Sequence, residues 1–516
     1  MIEKKLKNGQ VVKAYPLSDS QKMMFLMSLK YGPGYPVNNI GCGYYWQGDL
    51  NIDVLKESVY EAIERCDTMR LRFTKDKKVS LNLHQYVTEK SELVIEDWDY
   101  SHKTVEEAEA ELTKISRQNI PYYECEIHKI AVVKFKNGYK GLFIRFHHLA
   151  MDAYSVKLFL NDIIEIYKSK TQGTAYPKPM RPYIPVLEKE LEYLESEQCE
   201  IDKKYWYDSL AKTSEPIFTD FMIDNRLKHQ QEKNPGQRYA DIHSGLPDAD
   251  IFNMSMSAED SEKVMKLCAE KNLSIFAVLS MAVRTGLSCF NDNQEDVSFK
   301  MIINRRGTIA EKKSGGIRIN FLPMRSIIKP EETFMDAVQN ISEVQNEMYH
   351  YSSLSFMQML KERHKSMPEE SKSDSTYDSF GLSYQPLMKS IYIDEEMERT
   401  AKSIWYNNGS TMIPLYVTIR HRKQDSGLDF CFEYRKEPPA EYDLRILYTK
   451  ISKALVMGAE NPDITVGEIL DKIALTDAER NGKPECKSSH SLLKSLKTTW
   501  KSKTSLPKAI LELILK

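Results

Sequence analysis

The sequence predicts an α/β fold in two halves of similar size, and three observations carry that prediction. Segments of helical and strand periodicity alternate from Tyr15 to about Asp477, with no internal repeat of roughly 20–50 residues. A stretch at 170–185 holding Gly173 and four prolines (177, 179, 182, 185) interrupts the alternation and suits a crossing between lobes. Beyond residue 250 the same grammar of helices and strands starts again.

Each element follows from its own spacing. In 51–70, Leu55, Val59, Ala62 and Ile63 recur at helical intervals, and Asp53 suits the positive end of a helix. Ala108, Leu112 and Ile115 predict a second helix over 104–119. Residues 128–135 and 141–147 read as two strands of a hairpin, with Asn137-Gly138 as the turn signal. Val156, Phe159, Leu160, Ile163 and Tyr167 then make an amphipathic helix of 156–168. After the crossing, 186–210 predicts one charged helix, and 225–250 is polar and loop-like. In the second half the spacing predicts helices at 258–270, 274–290 and 332–350 and strands at 297–303 and 317–321. A polar loop at 367–378, strands at 414–419 and 428–434, and a helix at 442–458 complete the body.

Composition narrows the function classes. The 516 residues are 41% hydrophobic and 28% charged, which is ordinary globular usage. A net charge of -2 gives no global signal for nucleic acid, and no run approaches the roughly 20 apolar residues of a membrane helix. Residues 1–7 are basic without an apolar run behind them, so they do not read as a secretory signal. The eight cysteines form no C-x-x-C pair and read as reduced thiols of a cytoplasmic protein, with neither zinc nor a disulfide scaffold expected. Charge is unevenly placed: 481–516 holds eight Lys against Glu485 and Glu512, a net of +6, which leaves -8 on the rest.

The sharpest local feature is Phe146-His147-His148-Leu149-Ala150-Met151-Asp152-Ala153, at a strand end where a helix begins. A histidine titrates near neutrality, so an imidazole with a carboxylate four residues on can take or give a proton. A purely packed histidine pair, with Asp152 capping the helix, fits the spacing equally well.

His147-His148-Leu149-Ala150-Met151-Asp152 resembles the HHxxxDG motif of condensation domains in nonribosomal peptide synthetases, within the chloramphenicol-acetyltransferase-like acyltransferases. Pro16-Leu17-Ser18-Asp19-Ser20-Gln21 resembles that family's P-L-S-x-x-Q segment, and Cys66 to Phe73 its H-x-x-L-R-x-x-F stretch, with Cys66 in place of histidine. Tyr205-Trp206 to Leu210 is similar to Y-W-x-x-x-L. Asp296-Val297 through Arg306 resembles D-V-x-x-G-x-x-x-x-G-R, and Asn320 to Arg325 resembles N-x-L-P-L-R. Leu475-Thr476 to Arg480 is similar to the closing L-T-x-x-E-R, so the motifs keep family order from residue 15 to 480. Without the resemblance, Arg70 and Arg72 read as salt-bridged or solvated, Tyr205 and Trp206 as core aromatics, and Asn320 as a strand-end cap.

The resemblance implies two chloramphenicol-acetyltransferase-like lobes, 1–180 and 181–480, forming a V-shaped pseudo-dimer around a central channel, with 481–516 as a basic amphipathic tail. It implies an acyltransferase that moves an acyl group from a phosphopantetheine thioester to an amine or hydroxyl acceptor. No bound cofactor is expected; the phosphopantetheine arm or acyl-CoA is a substrate. His148 is the implied base or positioning group, His147 is implied to be packed, and Asp152 is implied to pair with Arg306, with Arg305 as the one-residue alternative. Two departures stand out: Ala153 replaces the motif glycine, and the G-R turn reads Asn304-Arg305-Arg306. Both suggest a narrower or differently shaped channel.

The implied partners are an acyl or peptidyl carrier protein acting in trans and a small-molecule acceptor. An acyl-CoA-dependent O- or N-acyltransferase and a non-catalytic carrier-binding module are the alternative readings. D-x-x-x-x-D, the mark of heterocyclising relatives, is absent at the histidine motif, and the N-x-L-P-x-R that epimerising relatives lose is kept. The tail places Leu492, Leu493, Leu496 and Trp500 at helical spacing. It reads either as a disordered or self-docked extension or as a docking helix for an acidic partner or a membrane surface.

Overall fold

The computed structural model describes residues 1–32, 34–75, 83–211, 221–223, 232, 235, 247–366, 380–386, 393–422, 425–436 and 440–482. The basic tail from 483 and the polar loop at 367–378 lie outside the described residues, as does nearly all of 224–246. Among the described residues eight strands belong to the first half: β1 (Ile2–Lys5), β2 (Val11–Pro16), β3 (Asn39–Trp46), β4 (Leu71–Lys75), β5 (Leu83–Val87), β6 (Glu96–Tyr100), β7 (His128–Phe135) and β8 (Lys140–His147). Seven follow: β9 (Ala249–Ser255), β10 (Asp296–Asn304), β11 (Ile319–Ile327), β12 (Phe380–Gln385), β13 (Lys402–Tyr406), β14 (Leu415–His421) and β15 (Leu428–Arg435).

They form three sheets, ordered β1-β2-β5-β4, β13-β3-β8-β7-β6 and β11-β10-β12-β14-β15-β9. The 128–147 hairpin forms as its Asn-Gly turn predicts, with β7 and β8 antiparallel. Strand β3 is buried along its whole length because both sheet faces are covered. The helices Ile52–Glu64 and Ala153–Gln172 pack on each other on one side. Helix Val105–Ser116 closes the other side over a small cluster that includes Tyr45, Leu112 and Phe143.

Four elements differ from expectation, each for a physical reason. The charged segment 186–210 is two helices, Ile184–Tyr193 and Glu197–Ala211. Ser196 breaks it, because its hydroxyl accepts from the Cys199 amide and caps the second helix. The helix expected over 51–70 ends at Glu64 and is followed by a 3₁₀ turn, Asp67–Arg70. Strand β11 runs on through Pro323 to Ile327, since an edge strand tolerates a residue without an amide hydrogen. Finally, β13 leaves the second half and pairs antiparallel with β3, so the spatial first lobe includes residues from beyond 181.

In the second lobe one sheet face is covered by the helices Ile275–Phe290, Phe334–His350 and Glu441–Glu460. Leu428, Phe430 and Phe432 of β15 are buried there, and Tyr448 of the helix Glu441–Glu460 meets both phenylalanine rings edge-on. Of the alternate residues of β15, Asp429, Cys431 and Glu433 are half-buried and face away from those helices. Among the described residues no helix is long and apolar enough to cross a membrane.

Candidate active site

Strand β8 ends at His147, and the chain then makes a short loop before Asp152 caps the helix Ala153–Gln172. Almost every polar group of that loop is held. The His148 amide donates to the Asn38 carbonyl at 2.7 Å and the Ala150 amide to the His147 carbonyl at 3.0 Å. Gln21 donates through Nε2 to the Leu149 carbonyl at 2.8 Å. Met151 makes a parallel bridge to Gly316 of the second lobe, where φ of +99° suits glycine. The family-like P-L-S-x-x-Q segment therefore has a physical role: Ser18 and Gln21 form a capping box, and Gln21 then pins the histidine loop.

The two histidines differ. His147 is buried, and its Nδ1 accepts from the Leu149 amide at 3.1 Å, which puts the ring proton on Nε2. Its ring lies 5.4 Å from that of Tyr122, and burial pushes its pKa down to about 3. His148 is partly accessible, with Nδ1 turned inward and making no hydrogen bond of ordinary geometry. Burial lowers its pKa below the usual histidine value, while the Asp152 charge pulls it partly back. The imidazole is therefore neutral at pH 7 and able to accept a proton.

Asp152 is fully buried and serves both lobes. Its oxygens meet Arg306 at 2.8 and 3.1 Å, a bidentate pair. They also accept from the Ser155 amide and hydroxyl, each at 2.9 Å, and from the Arg318 amide at 2.9 Å. Desolvation raises this carboxyl's pKa, but Arg306 and the hydrogen bonds outweigh it and hold it below the ordinary aspartate value. Arg306 also donates to Ser155 Oγ, the Gly316 carbonyl and Asn304 Oδ1, and lies over the Tyr154 ring. Arg305, the one-residue alternative, is buried elsewhere: it meets Glu190 at 3.1 Å, Ser20 Oγ at 3.1 Å and the Ser353 carbonyl at 3.0 Å.

Asn320 is buried and wholly engaged with backbone. It donates to the carbonyls of Ser352 and Leu354 and accepts from the amides of Phe321 and Phe356. Trp206 holds the Tyr351 carbonyl at 3.0 Å, and Tyr205 stacks on the Tyr351 ring at 3.9 Å. Trp206, Asn320 and Arg305 together satisfy an irregular segment, 351–354, that would otherwise bury bare carbonyls. Arg72 pairs with Glu126, and Arg70 binds the carbonyls of Thr88 and Glu89, so neither reaches the histidine loop. Ala153 opens its helix and is exposed.

Sequence reasoning missed Glu190, Arg318 and Lys300. Glu190 bridges Arg305 and Arg318, each at 3.1 Å, from the helix after the crossing. Arg318 also meets Glu311 at 2.7 Å. No local spacing joins residues so far apart in the chain. Lys300 stands where the D-V-x-x-G pattern has glycine, and that departure was a readable signal. It is buried under Phe356, with Nζ 4.0 Å from the ring centroid. Burial holds its amine well below the ordinary lysine pKa.

A cavity of about 240 Å³ adjoins the motif, lined by Leu29, Tyr35, Asn38, Asn119, Tyr122 and His147. A larger one, about 430 Å³, lies between the helices of the second lobe near Asn272 and Asn346, and no motif residue lines it. No group of three His, Cys, Asp or Glu among the described residues could hold a metal ion. What the residues around the motif offer is proton transfer and positioning.

Comparison with known proteins agrees with this arrangement. The chain is 21% identical to a plipastatin synthase subunit of Bacillus subtilis (strain 168) over 458 residues, 88% of this chain and 17% of that protein. It is 20% identical to surfactin synthase subunit 1 of the same organism, over 90% of this chain and 12% of that protein. The chain therefore spans under a fifth of the length of these relatives. Among solved structures, the first condensation domain of the calcium-dependent antibiotic synthetase in complex with a substrate analogue superposes with a TM-score of 0.71 at 17% identity, covering 89% of this chain and 99% of that one. The starter condensation domain of rhizomide synthetase, as a mutant in complex with C8-CoA and Leu-SNAC, gives 0.70 at 16% identity, over 88% and 96%. These structures share the two-lobed chloramphenicol-acetyltransferase-like fold. The condensation domain family matches residues 11–473, and the chain belongs to that family.

Proposed function

We propose that this chain transfers an acyl group from a carrier-protein phosphopantetheine thioester to an amine, making an amide in nonribosomal peptide or related biosynthesis. One observation carries the reading: His148 is partly accessible, and the burial that lowers its pKa leaves it neutral at pH 7, on a loop fixed from both lobes. The neutral amine attacks the thioester carbonyl, the C–N bond forms, and its proton passes to the His148 imidazole. Collapse breaks the C–S bond, and the pantetheine sulfur leaves as the thiol once it receives that proton. Asp152 and Arg306 position the loop and do not touch the reacting atoms. His147, already neutral and packed, keeps the strand end rigid.

Orientation of two bound reactants and a positioned base are the two contributions this geometry offers, the base contributing about 10²–10⁴ in rate. His148→Ala is expected to lower kcat by that factor, read by mass spectrometry of amide formed from a loaded carrier. Equal product from both proteins would remove the base role. Activity should fall as acid protonates His148, so the acid limb of the kcat profile should lie below pH 6.5, the ordinary histidine value. A limb above that value would contradict the assignment.

Acyl-CoA is a second donor reading, favoured by the solved starter condensation domain that holds C8-CoA. Both donors present the same phosphopantetheine thioester, so parallel assays with octanoyl-CoA and an octanoyl-carrier separate them.

A further inference from the structure

The open face of the second lobe's sheet carries a carboxyl group that the transfer mechanism does not use. Glu433 lies on β15 between Phe432 and Tyr434, whose side chains are buried on the helix side. It therefore points away from the helices. Across the ladder it pairs with Tyr416 of β14, and Tyr416 pairs with Gly381 of β12, so the three share one face. Gly381 has no side chain there; a Cβ would meet Ile413 at 2.5 Å. Tyr416 is half-buried, and its hydroxyl is held by Ser383 Oγ at 3.0 Å, which fixes the ring beside the carboxyl.

The side chain of Glu433 lies beside Thr411, and among the described residues no cation pairs with it. Arg435, the next residue on the same face, is turned to Tyr31 Oη and the Met412 carbonyl at 2.9 and 3.0 Å. Burial without a countercharge pushes the Glu433 carboxyl up to about 7. Such a group is costly to keep ionised alone, and an arriving cation removes that cost. Glu433 and Tyr416 both retain accessible surface, so a ligand can reach them.

The same face leads to the histidine motif. Asn408 donates to the Asn39 carbonyl at 2.9 Å, and Asn39 is the ladder partner of His147. Thr411 is three residues further along and meets Glu433. Three residues span at most about 11 Å, so one short segment joins the two places.

We infer that Glu433 and the Tyr416 ring form a subsite for a second, cationic nitrogen on the acceptor amine. This rests on the acyl-transfer reading and names its substrate class: diamines, or amino acids with a basic side chain. A carboxylate beside an aromatic ring suits an alkylammonium ion by charge and by cation–π attraction.

Cadaverine and n-hexylamine test it, because they differ only in exchanging a terminal ammonium for a methyl group. With an octanoyl thioester donor, the wild-type protein should favour cadaverine in kcat/KM, and Glu433→Gln should cut that preference about tenfold or more. An unchanged ratio would overturn the subsite while leaving amide formation intact. If neither amine is acylated from carrier or coenzyme A, the transfer reading fails, and calorimetric titration of cadaverine still decides the subsite. Binding lost in Glu433→Gln supports it; equal binding, or none to either protein, overturns it. Glu433→Asp, which keeps the charge, should restore part of the preference, and no recovery would assign Glu433 a packing role instead.

Discussion

Two regions of the molecule handle charge in opposite ways. Near Asp152, three guanidinium groups and three carboxylates close on one another: Arg306 on Asp152, Arg305 on Glu190, and Arg318 on Glu190 and Glu311. Near Tyr416 a single carboxyl, Glu433, lies half-buried beside Thr411 with no cation among the described residues paired to it. In the first arrangement every ion has its counterion, so no net charge is left for a ligand to neutralise. The second leaves capacity for one. Charge alone therefore does not mark a substrate site in this fold; the matched cluster serves the structure, and the unmatched carboxyl is where the proposed subsite can be tested.

Breaking the matched end should have the largest effect. Asp152→Ala leaves Arg306 buried without its counterion, and a loss of about 3–5 kcal/mol in urea denaturation is expected. Replacing both residues by leucine should cost less than the sum of the two single changes, since no bare charge remains. A single variant within about 1 kcal/mol of wild type would show that the cluster is not closed as described.

The histidines extend the contrast to pH. His147 and His128 are buried, with pKa values pushed down to about 3, against an ordinary value of 6.5. The unfolded chain therefore binds protons between pH 6.5 and 3 that the folded chain refuses. Stability is complete above 6.5 and is lost as pH falls toward 3. Between pH 6.5 and 5 each histidine should cost about 2 kcal/mol, together about 4 kcal/mol. Urea melts across that range should show His147→Asn and His128→Asn each with a shallower slope than wild type; an identical slope would contradict the buried, neutral assignment.

Asn320→Ala should come next, at about 1–3 kcal/mol, because its side-chain amide satisfies the Ser352 and Leu354 carbonyls and the Phe321 and Phe356 amide hydrogens. Because its polar atoms are spent on backbone, thermal melting should register the change before acceptor KM does. A shift in KM without a stability loss would instead place Asn320 at the wall of the substrate channel.

Local features of this architecture were legible in the sequence, and the long-range ones were not. The hairpin at 128–147, the cap at Asp152 and the helix behind it follow from spacing and turn chemistry within about twenty residues. The Asp152–Arg306 pair was reached by resemblance, and only geometry separates Arg306 from Arg305, since neighbouring residues point to opposite sides. Glu190 was invisible because 186–210 reads as one solvated helix; its partners lie 115 and 128 residues away. β13 was missed because nothing in 402–406 specifies that its pairing partner is β3 in the other lobe. Glu433 reads as the polar half of an alternating strand until its neighbours are known.

The smallest effect tests the departure at Ala153. The resemblance places a glycine there, and the extra methyl suggested a narrower channel. In the structure Ala153 is the first residue of its helix and is exposed, while its neighbour Asp152 takes up the buried contacts. Glycine needs no unusual backbone angle to fit at a helix start, so Ala153→Gly should cost the helix less than about 1 kcal/mol. If the methyl does not restrict the thioester, the donor KM for short and long acyl chains should shift together or not at all. A gain confined to the longer acyl donors would show that this one methyl sets the width of the channel beside His148, and that the glycine of the family pattern serves access rather than backbone geometry.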